Sequence, residues 1–210
     1  MSIVVVDYGA GNTPSVIRTL EHIGATNVVL SADPDVLLSA DRLILPGVGA
    51  SRAAMAGLAE RGLVGPLDEA VRERRVPILG ICVGMQIMME RLTEFGEHRG
   101  LGWFEGDVVA LSAITPDPGL RVPHMGWNRV DLEGDEFGLF PAEARKRDYY
   151  FAHSFAARPG RAGDVAAIVD LGVPVCVAVR RDNIHAVQFH PEKSQINGQV
   201  LLRRFLEFAP

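Results

Sequence analysis

The residues best placed by type and spacing to do chemistry lie in one short run, Gly80-Ile81-Cys82-Val83-Gly84-Met85-Gln86. A glycine stands two residues either side of a cysteine, between an apolar run that reads as a strand and a stretch that reads as a helix. This is the nucleophile-elbow pattern with sulfur in place of oxygen. The glycines remove side chains where strand and helix must cross, and the thiol is presented at the start of a helix, where partial positive charge suits an anionic sulfur. A bare strand-end cysteine would read as buried filler; the flanking glycines turn the reading toward a nucleophile.

A cysteine nucleophile needs a base. Of the six histidines, His190 is best placed: it follows a strand-like run, 186–189, and precedes Pro191, which keeps the chain extended. In extended chain residues i and i+2 point the same way, so Glu192 is expected beside His190, holding its far ring nitrogen and fixing the tautomer. Cys82, His190 and Glu192 thus form a candidate triad for attack on a carbonyl carbon. His185 lies five residues from His190, a poor spacing for a shared metal, and no other Cys/His cluster has ligand spacing; neither a metal nor a cofactor is expected. Cys176 falls in an apolar run, 173–179, and reads as a small core residue.

Two glycine-bearing loops stand where they can serve such a triad. In Pro46-Gly47-Val48-Gly49 the glycines allow backbone N–H groups to turn outward, where a pair of them can stabilise an oxyanion; alone, two glycines in a loop usually just make a turn. Gly9-Ala10-Gly11 resembles a dinucleotide loop only superficially. The third glycine of that pattern would fall at Pro14, and no acidic residue ends the next strand, so a tight turn is expected.

The elements that position these loops alternate in the first half of the chain. Strands are predicted at 3–6, 27–30, 42–45 and 77–81, and helices at about 14–23, from Asp33-Pro34, through 53–74, and at 84–91. Such alternation requires a mainly parallel sheet covered on both faces, and in open sheets of this kind function collects at the carboxyl ends of the strands. The second half carries short strand candidates at 108–111, 128–132, 148–152, 165–169, 175–179 and 186–189 with little helix between them, so antiparallel pairing is expected there. A closing helix, 195–208, places Val200, Leu201, Phe205 and Leu206 at helical spacing. The expected fold is a three-layer α/β domain with a mixed, mainly parallel sheet, and with no long linker or repeat in sight residues 1–210 are assigned to it.

Composition narrows the class. The chain is 48 % hydrophobic and carries a net charge of −5, from 21 basic and 26 acidic residues, which argues against an electrostatic grip on nucleic acid. Arg72, Arg74 and Arg75 are interleaved with Glu69 and Glu73 and read as a solvated helix face. The apolar run at the N-terminus is too short for a signal peptide or a membrane span, and two cysteines make no disulfide framework. A cytoplasmic protein with reduced thiols is expected.

Three segments together carry a family resemblance. Pro46-Gly47-Val48-Gly49, Gly80-Ile81-Cys82-Val83-Gly84-Met85-Gln86 and Gln188-Phe189-His190-Pro191-Glu192-Lys193-Ser194 resemble the signatures of the class I, or triad, glutamine amidotransferases, whose flavodoxin-like fold is that expected here. Val122-Pro123-His124-Met125-Gly126-Trp127-Asn128, Asp7-Tyr8-Gly9-Ala10-Gly11-Asn12, Tyr149-Tyr150-Phe151-Ala152-His153-Ser154-Phe155 and Arg180-Arg181-Asp182-Asn183-Ile184 resemble more narrowly the glutaminase subunits of imidazole glycerol phosphate synthase, from histidine biosynthesis. The resemblance runs from residue 3 to about 206.

It implies that Cys82 attacks the side-chain amide of L-glutamine, that His190 relays protons, and that Glu192 orients it. It implies an oxyanion hole shaped by Gly47 and Val48 with a second N–H from Val83, and glutamine contacts at Gly49, Gln86, Ser154 and Phe155. Lys193, Tyr150 and a loop carrying His124, Trp127 and Asn128 would face the partner and the ammonia exit. That partner would be a (β/α)8-barrel cyclase, paired with this chain as a heterodimer. Thr13-Pro14, Ser51 and Val83 depart from the pattern; none touches the triad, and the first two positions are expected near the partner surface. A glutaminase subunit of another synthase fits the narrower motifs less well. A cysteine hydrolase of peptides or esters leaves Gln86 and the segment after His190 unexplained, and a decayed binding module would have lost a triad residue.

Overall fold

The computed structural model describes residues 1–115, 119, 121–133, 138–140 and 146–209. Its frame is a nine-stranded sheet. The first strands are β1 (Ile3–Val6), β2 (Val28–Ser31), β3 (Arg42–Gly47) and β4 (Ile78–Cys82). They are joined by α1 (Thr13–His22), α2 (Pro34–Leu38), α3 (Ser51–Glu60) and α4 (Val64–Asp68), the last running on as a π-helical turn over Glu69–Glu73. Both β1 and β4 are buried along their whole length, as strands covered on both faces must be. Pro14 enters α1 in the first turn, where its missing N–H costs nothing.

The rest of the sheet comes from the second half of the chain: β8 (His124–Leu132), β9 (Lys146–His153), β11 (Val165–Asp170), β12 (Pro174–Arg181) and β13 (Ile184–Val187). The strand order is β2-β1-β3-β4-β13-β12-β11-β8-β9. Pairing is parallel from β2 through β13 and antiparallel beyond it. The seam matters most. The short β13 inserts beside β4, with Val187 opposite Ile81, so a segment from the far end of the chain becomes a central parallel strand.

A second sheet, in the order β10-β7-β5-β6, is built from β5 (Met89–Leu92), β6 (His98–Arg99), β7 (Phe104–Ala110) and β10 (Phe155–Pro159). Short α5 (Val83–Gln86) and α6 (Leu111–Ile114) and the closing helix α7 (Gln195–Glu207) complete the order. Helix α1 packs on α7, and α2 on α4. Among the described residues no helix is long and apolar enough to cross a membrane.

Two expectations need correction. The helix foreseen at 84–91 stops after one turn, at Gln86, and Met89–Leu92 is a strand. The carbonyls of Ile87, Met88, Met89 and Glu90 are taken by backbone N–H groups from residues 100–104, which a continued helix would have denied them. The segment is buried from Gly84 to Met89, so no polar face marked its period. The helical material expected at 53–74 is present, though divided into α3 and α4 at Gly62, which takes a φ of +66°. The loop expected at 124–128 is the start of β8, nine residues long and paired with β9 throughout its first eight. The turn at Gly9-Ala10-Gly11 is tight, with φ of +84° and +111° at its glycines, and Asp7 accepts the Gly9 N–H at 3.1 Å.

Candidate active site

Three neighbouring strands of the parallel part, β3, β4 and β13, deliver their carboxyl ends to one place. Gly47 closes β3 directly opposite Cys82 at the end of β4. Cys82 has a φ of +54° and a ψ of −109°, a strained conformation for any residue with a side chain. The neighbouring crossings hold it there. A Cβ on Gly84 would lie 1.9 Å from the Leu45 carbonyl oxygen, and one on Gly80 would lie 2.8 Å from Met88 Cε. A Cβ on Gly47 would meet the Gly84 nitrogen at 2.6 Å and Val83 Cβ at 2.7 Å. Gly47 and Gly84 meet backbone too closely for any side chain, whereas one at Gly80 would chiefly have to displace the end of Met88. Beneath them the buried Tyr8 hydroxyl donates to the Pro46 carbonyl, tying the end of β1 to the Pro46–Gly47 peptide.

His190 is buried at 2 % exposure, and its Nδ1 lies 2.9 Å from Glu192 Oε1. The contact expected from the sequence is present, but the reason given for it is not. The chain is not extended here: Pro191–Lys193 forms a 3-10 turn, and this turn brings the Glu192 carboxylate to the ring. Its backbone is fixed from several sides. The His190 N–H donates to the Tyr150 carbonyl at 2.9 Å, and Ser194 Oγ donates to the His190 carbonyl at 2.6 Å while accepting the Tyr150 N–H at 2.9 Å. Helix α7 sits so close on the turn that a Cβ on Gly198 would lie 1.8 Å from the Pro191 carbonyl oxygen.

Burial alone would depress the basicity of His190. The hydrogen bonds to Cys82 and to Glu192 outweigh it and push the imidazole up to about 9. The other Glu192 oxygen is buried and accepts no hydrogen bond among the described residues, which leaves His190 as the group its charge serves. At neutral pH His190 therefore stands as an imidazolium beside the sulfur, able to give a proton to a leaving group and to take one back from water.

Cys82 and His190 open onto a pocket of about 360 Å³, near the lower end of the range for small-molecule sites. Val48, Gly49, Val83, Gln86, Ser154 and Phe155, anticipated for the oxyanion hole and the glutamine contacts, line it, and so does Lys193, anticipated at the partner and the ammonia exit. Glu192 stands behind His190, and Gly47 is buried under the elbow. Gln86 Nε2 donates both to the Phe155 carbonyl at 3.1 Å and to Gln188 Oε1 at 3.0 Å. That carbonyl also meets His153 Nδ1 at 2.9 Å, so Phe155 has no acceptor left for a substrate.

Glu94 and His153 were missed. Neither stands in a motif that singles it out; they reach the pocket only because the chain folds back there. Glu94 Oε2 accepts from Ser51, at 2.7 Å from the backbone N–H and 3.2 Å from the hydroxyl. Ser51, expected near the surface, is 1 % exposed, so its departure from the family pattern bears on Glu94 and the pocket rather than on an outer face. His153 is pushed down to about 4, chiefly by burial, and stays neutral. Its one proton must go to the Phe155 carbonyl, which can only accept. His153 Nε2 therefore accepts from His124 Nδ1 at 2.9 Å, and His124 Nε2 accepts from Asn128 at 3.3 Å. One carbonyl thus sets the tautomers of two histidines.

His124 and Asn128 consequently point inward along β8, toward His153 at the pocket wall, and His124 is only 9 % exposed. The alternate residues Met125 and Trp127 are exposed, at 63 % and 48 %. Trp127 meets Tyr150 edge-on at 6.1 Å, and Lys193 Nζ lies 5.8 Å from the Tyr150 ring centre, so Lys193, which lines the pocket, links it to the Trp127–Tyr150 patch. Cys176 is buried in β12 and its thiol is pushed up to about 12 by burial, the behaviour of a core residue. His185 is buried edge-on to Phe208 at 4.6 Å. Arg72, Arg74 and Arg75 are exposed and paired with Asp68, Glu69 and Asp182.

The model of the family glutamine amidotransferase class-I matches residues 4–208. Imidazole glycerol phosphate synthase subunit HisH from Zymomonas mobilis subsp. mobilis is 45 % identical, covering 100 % of this chain and 97 % of that one. The subunit of the same name from Caulobacter vibrioides is 42 % identical over 100 % and 99 %, and that from Lacticaseibacillus casei 46 % over 99 % and 96 %. Among solved structures, a crystal structure of a glutamine amidotransferase superposes with a TM-score of 0.74 at 23 % identity, covering 97 % of each chain. The structure of PurLQS from Thermotoga maritima superposes with a TM-score of 0.74 at 19 % identity, covering 98 % of this chain and 97 % of that one. At these identities the superpositions speak to the fold.

Proposed function

This chain belongs to the class-I glutamine amidotransferases, and within them to the HisH glutaminase subunits of imidazole glycerol phosphate synthase, and from that membership we infer how its pocket works. The activity is hydrolysis of glutamine as part of that synthase. The Cys82 sulfur, as the thiolate of a thiolate–imidazolium pair with His190, attacks the side-chain amide carbon of glutamine. Backbone N–H groups of Val83 and Val48 receive the oxyanion, and Gly47 keeps the strand close enough for both to reach it. The His190 imidazolium gives its proton to the departing nitrogen, which leaves as ammonia, and a thioester remains. His190, now neutral, takes a proton from water as the water attacks; the thioester collapses to glutamate and free Cys82. Glu192 keeps the ring in register through both halves.

The remaining lining residues hold the amino-acid end. Gly49, Gln86, Ser154 and Phe155 frame it. Gln86 spends both N–H groups on Phe155 and Gln188, so its side-chain oxygen is what it offers a substrate, an acceptor for a substrate N–H. Glu94 supplies a carboxylate at the pocket wall for the substrate's ammonium group. The exposed patch of Trp127, Tyr150 and Lys193, with Met125, faces a (β/α)8-barrel cyclase that receives the ammonia.

The observation that carries this reading is the buried His190–Glu192 pair, 2.9 Å apart, opening onto the same pocket as a cysteine at a strained elbow. Cys82→Ala should abolish release of glutamate while leaving the fold intact. The cyclase, supplied instead with ammonium salt at high pH, should still make product, because only unprotonated ammonia is nucleophilic. A stable Cys82→Ala protein that still released glutamate would overturn the assignment.

A further inference from the structure

Gln188 follows β13 and heads the segment that carries His190 and Glu192. It is fully buried, and its backbone N–H donates to the Val177 carbonyl at 2.8 Å. Its side-chain nitrogen lies 3.5 Å from Cys82 Sγ, and its side-chain oxygen 3.0 Å from Gln86 Nε2.

The orientation of this amide is forced by its neighbours. The Phe155 carbonyl can only accept, so the Gln86 atom facing it must be the nitrogen. That nitrogen also faces Gln188, so Gln188 must turn its oxygen toward it. The Gln188 nitrogen is left pointing at the sulfur. A cysteine side chain has a single rotatable bond and three staggered positions for its sulfur. At the elbow the sulfur opens onto the pocket it shares with His190, and the Gln188 N–H is directed at it from the buried side. A donor of this kind interacts more strongly with an electron-rich sulfur than with a neutral thiol.

We propose that Gln188 is a positioning residue for the nucleophile: its amide N–H fixes the Cys82 sulfur in the attacking direction and supports its anionic form. This rests on the glutaminase reading and deepens it. The alternative is that Gln188 merely props Gln86 against the substrate. The two differ in which parameter they touch.

The test uses the assembled two-subunit synthase carrying Gln188→Met, which keeps length and removes the donor, and Gln188→Glu, which keeps the acceptor toward Gln86 and replaces the donor toward sulfur. Glutaminase kcat and KM are measured, together with the rate at which iodoacetamide alkylates Cys82, a reaction that does not need bound glutamine. Both variants should lose about tenfold in kcat and in alkylation rate at pH 7, the size of one hydrogen bond to a charged group, with KM within about twofold of the parent. The alkylation rate should recover as pH is raised. A rise in KM with unchanged alkylation would overturn the proposal in favour of the prop, and parent-like kcat and alkylation in Gln188→Glu would overturn it outright. If the glutaminase reading itself were wrong, the parent enzyme would show no turnover of glutamine, which separates that failure from this one.

Discussion

At the scale of single residues, the site is a contest between burial and pairing. His190 is nearly sealed from water, which taken alone would leave it neutral. Its contacts with Cys82 and Glu192 reverse that, and the proton is held up to about pH 9. His153, at the end of β9 and also buried, has no anion beside it and falls to about 4. The same residue type is thus a proton carrier in one position and a neutral hydrogen-bond spacer in the other. The sign for catalysis follows. In the proposed mechanism the protonated His190 is the acid for the departing ammonia, so kcat/KM for glutamine should fall as pH rises through about 9. Glu192→Gln removes one of the groups that raise His190, so in that variant the same alkaline limb should move to lower pH. A pH–rate series on both proteins checks this, and an unmoved limb would remove Glu192 from the role given to it. Because the orienting carboxylate acts one step from the reacting atoms, Glu192→Gln should also retain more activity at pH 7 than His190→Asn, whose loss is on the order of 10²–10⁴-fold.

At the scale of elements, glycines decide how closely strands and helices approach. Gly84 has no room for a methyl group because the Leu45 carbonyl of β3 stands where it would go. Gly163, in the exposed turn at Ala162–Asp164, has open space around the same atom. The two Gly→Ala substitutions should therefore have opposite signs. Gly163→Ala should be neutral or should stabilise the protein by up to ~1 kcal/mol by reducing the freedom of the unfolded chain. Gly84→Ala must push β3 from β4 or unseat Cys82, and should cost more than ~3 kcal/mol, above the usual range for a single substitution. Denaturant midpoints for the two proteins measure the contrast, and equal midpoints would contradict the packing described for the elbow. The same logic applies where α7 lies on the Pro191 carbonyl over Gly198: the closing helix is part of what holds His190.

At the scale of the whole molecule, one face carries a pocket and, beside it, an exposed Met125–Trp127 edge with Tyr150 and Lys193. A glutaminase that released ammonia into water would lose it as ammonium, so the pocket is expected to work in concert with a bound cyclase. Trp127→Ala should weaken assembly with the cyclase by roughly 30-fold or more, the effect of losing an aromatic anchor. It should leave Cys82 as reactive toward iodoacetamide as before. Titration of one subunit into the other by calorimetry measures the first, and parent-like affinity would move the docking face elsewhere. Much of this was legible in the residues alone. Cys82 announced itself by its flanking glycines, because an elbow needs small residues at fixed offsets within one short segment, and local chemistry of that kind is written in local sequence. The alternation of strands and helices through residue 82 was readable for the same reason: each strand is an uninterrupted apolar run. What only the tertiary structure decided depends on segments far apart in the chain. The strand at Met89–Leu92 exists because residues 100–104 take its carbonyls, the Glu192 contact arises from a 3-10 turn locked by Ser194 and α7, and Glu94, His153 and Gln188 reach the site across 12 to 106 residues from Cys82. No periodicity or spacing records the meetings of Glu94 with Ser51, His153 with His124 and Gln188 with Cys82, since in each case the partner lies in another part of the sequence.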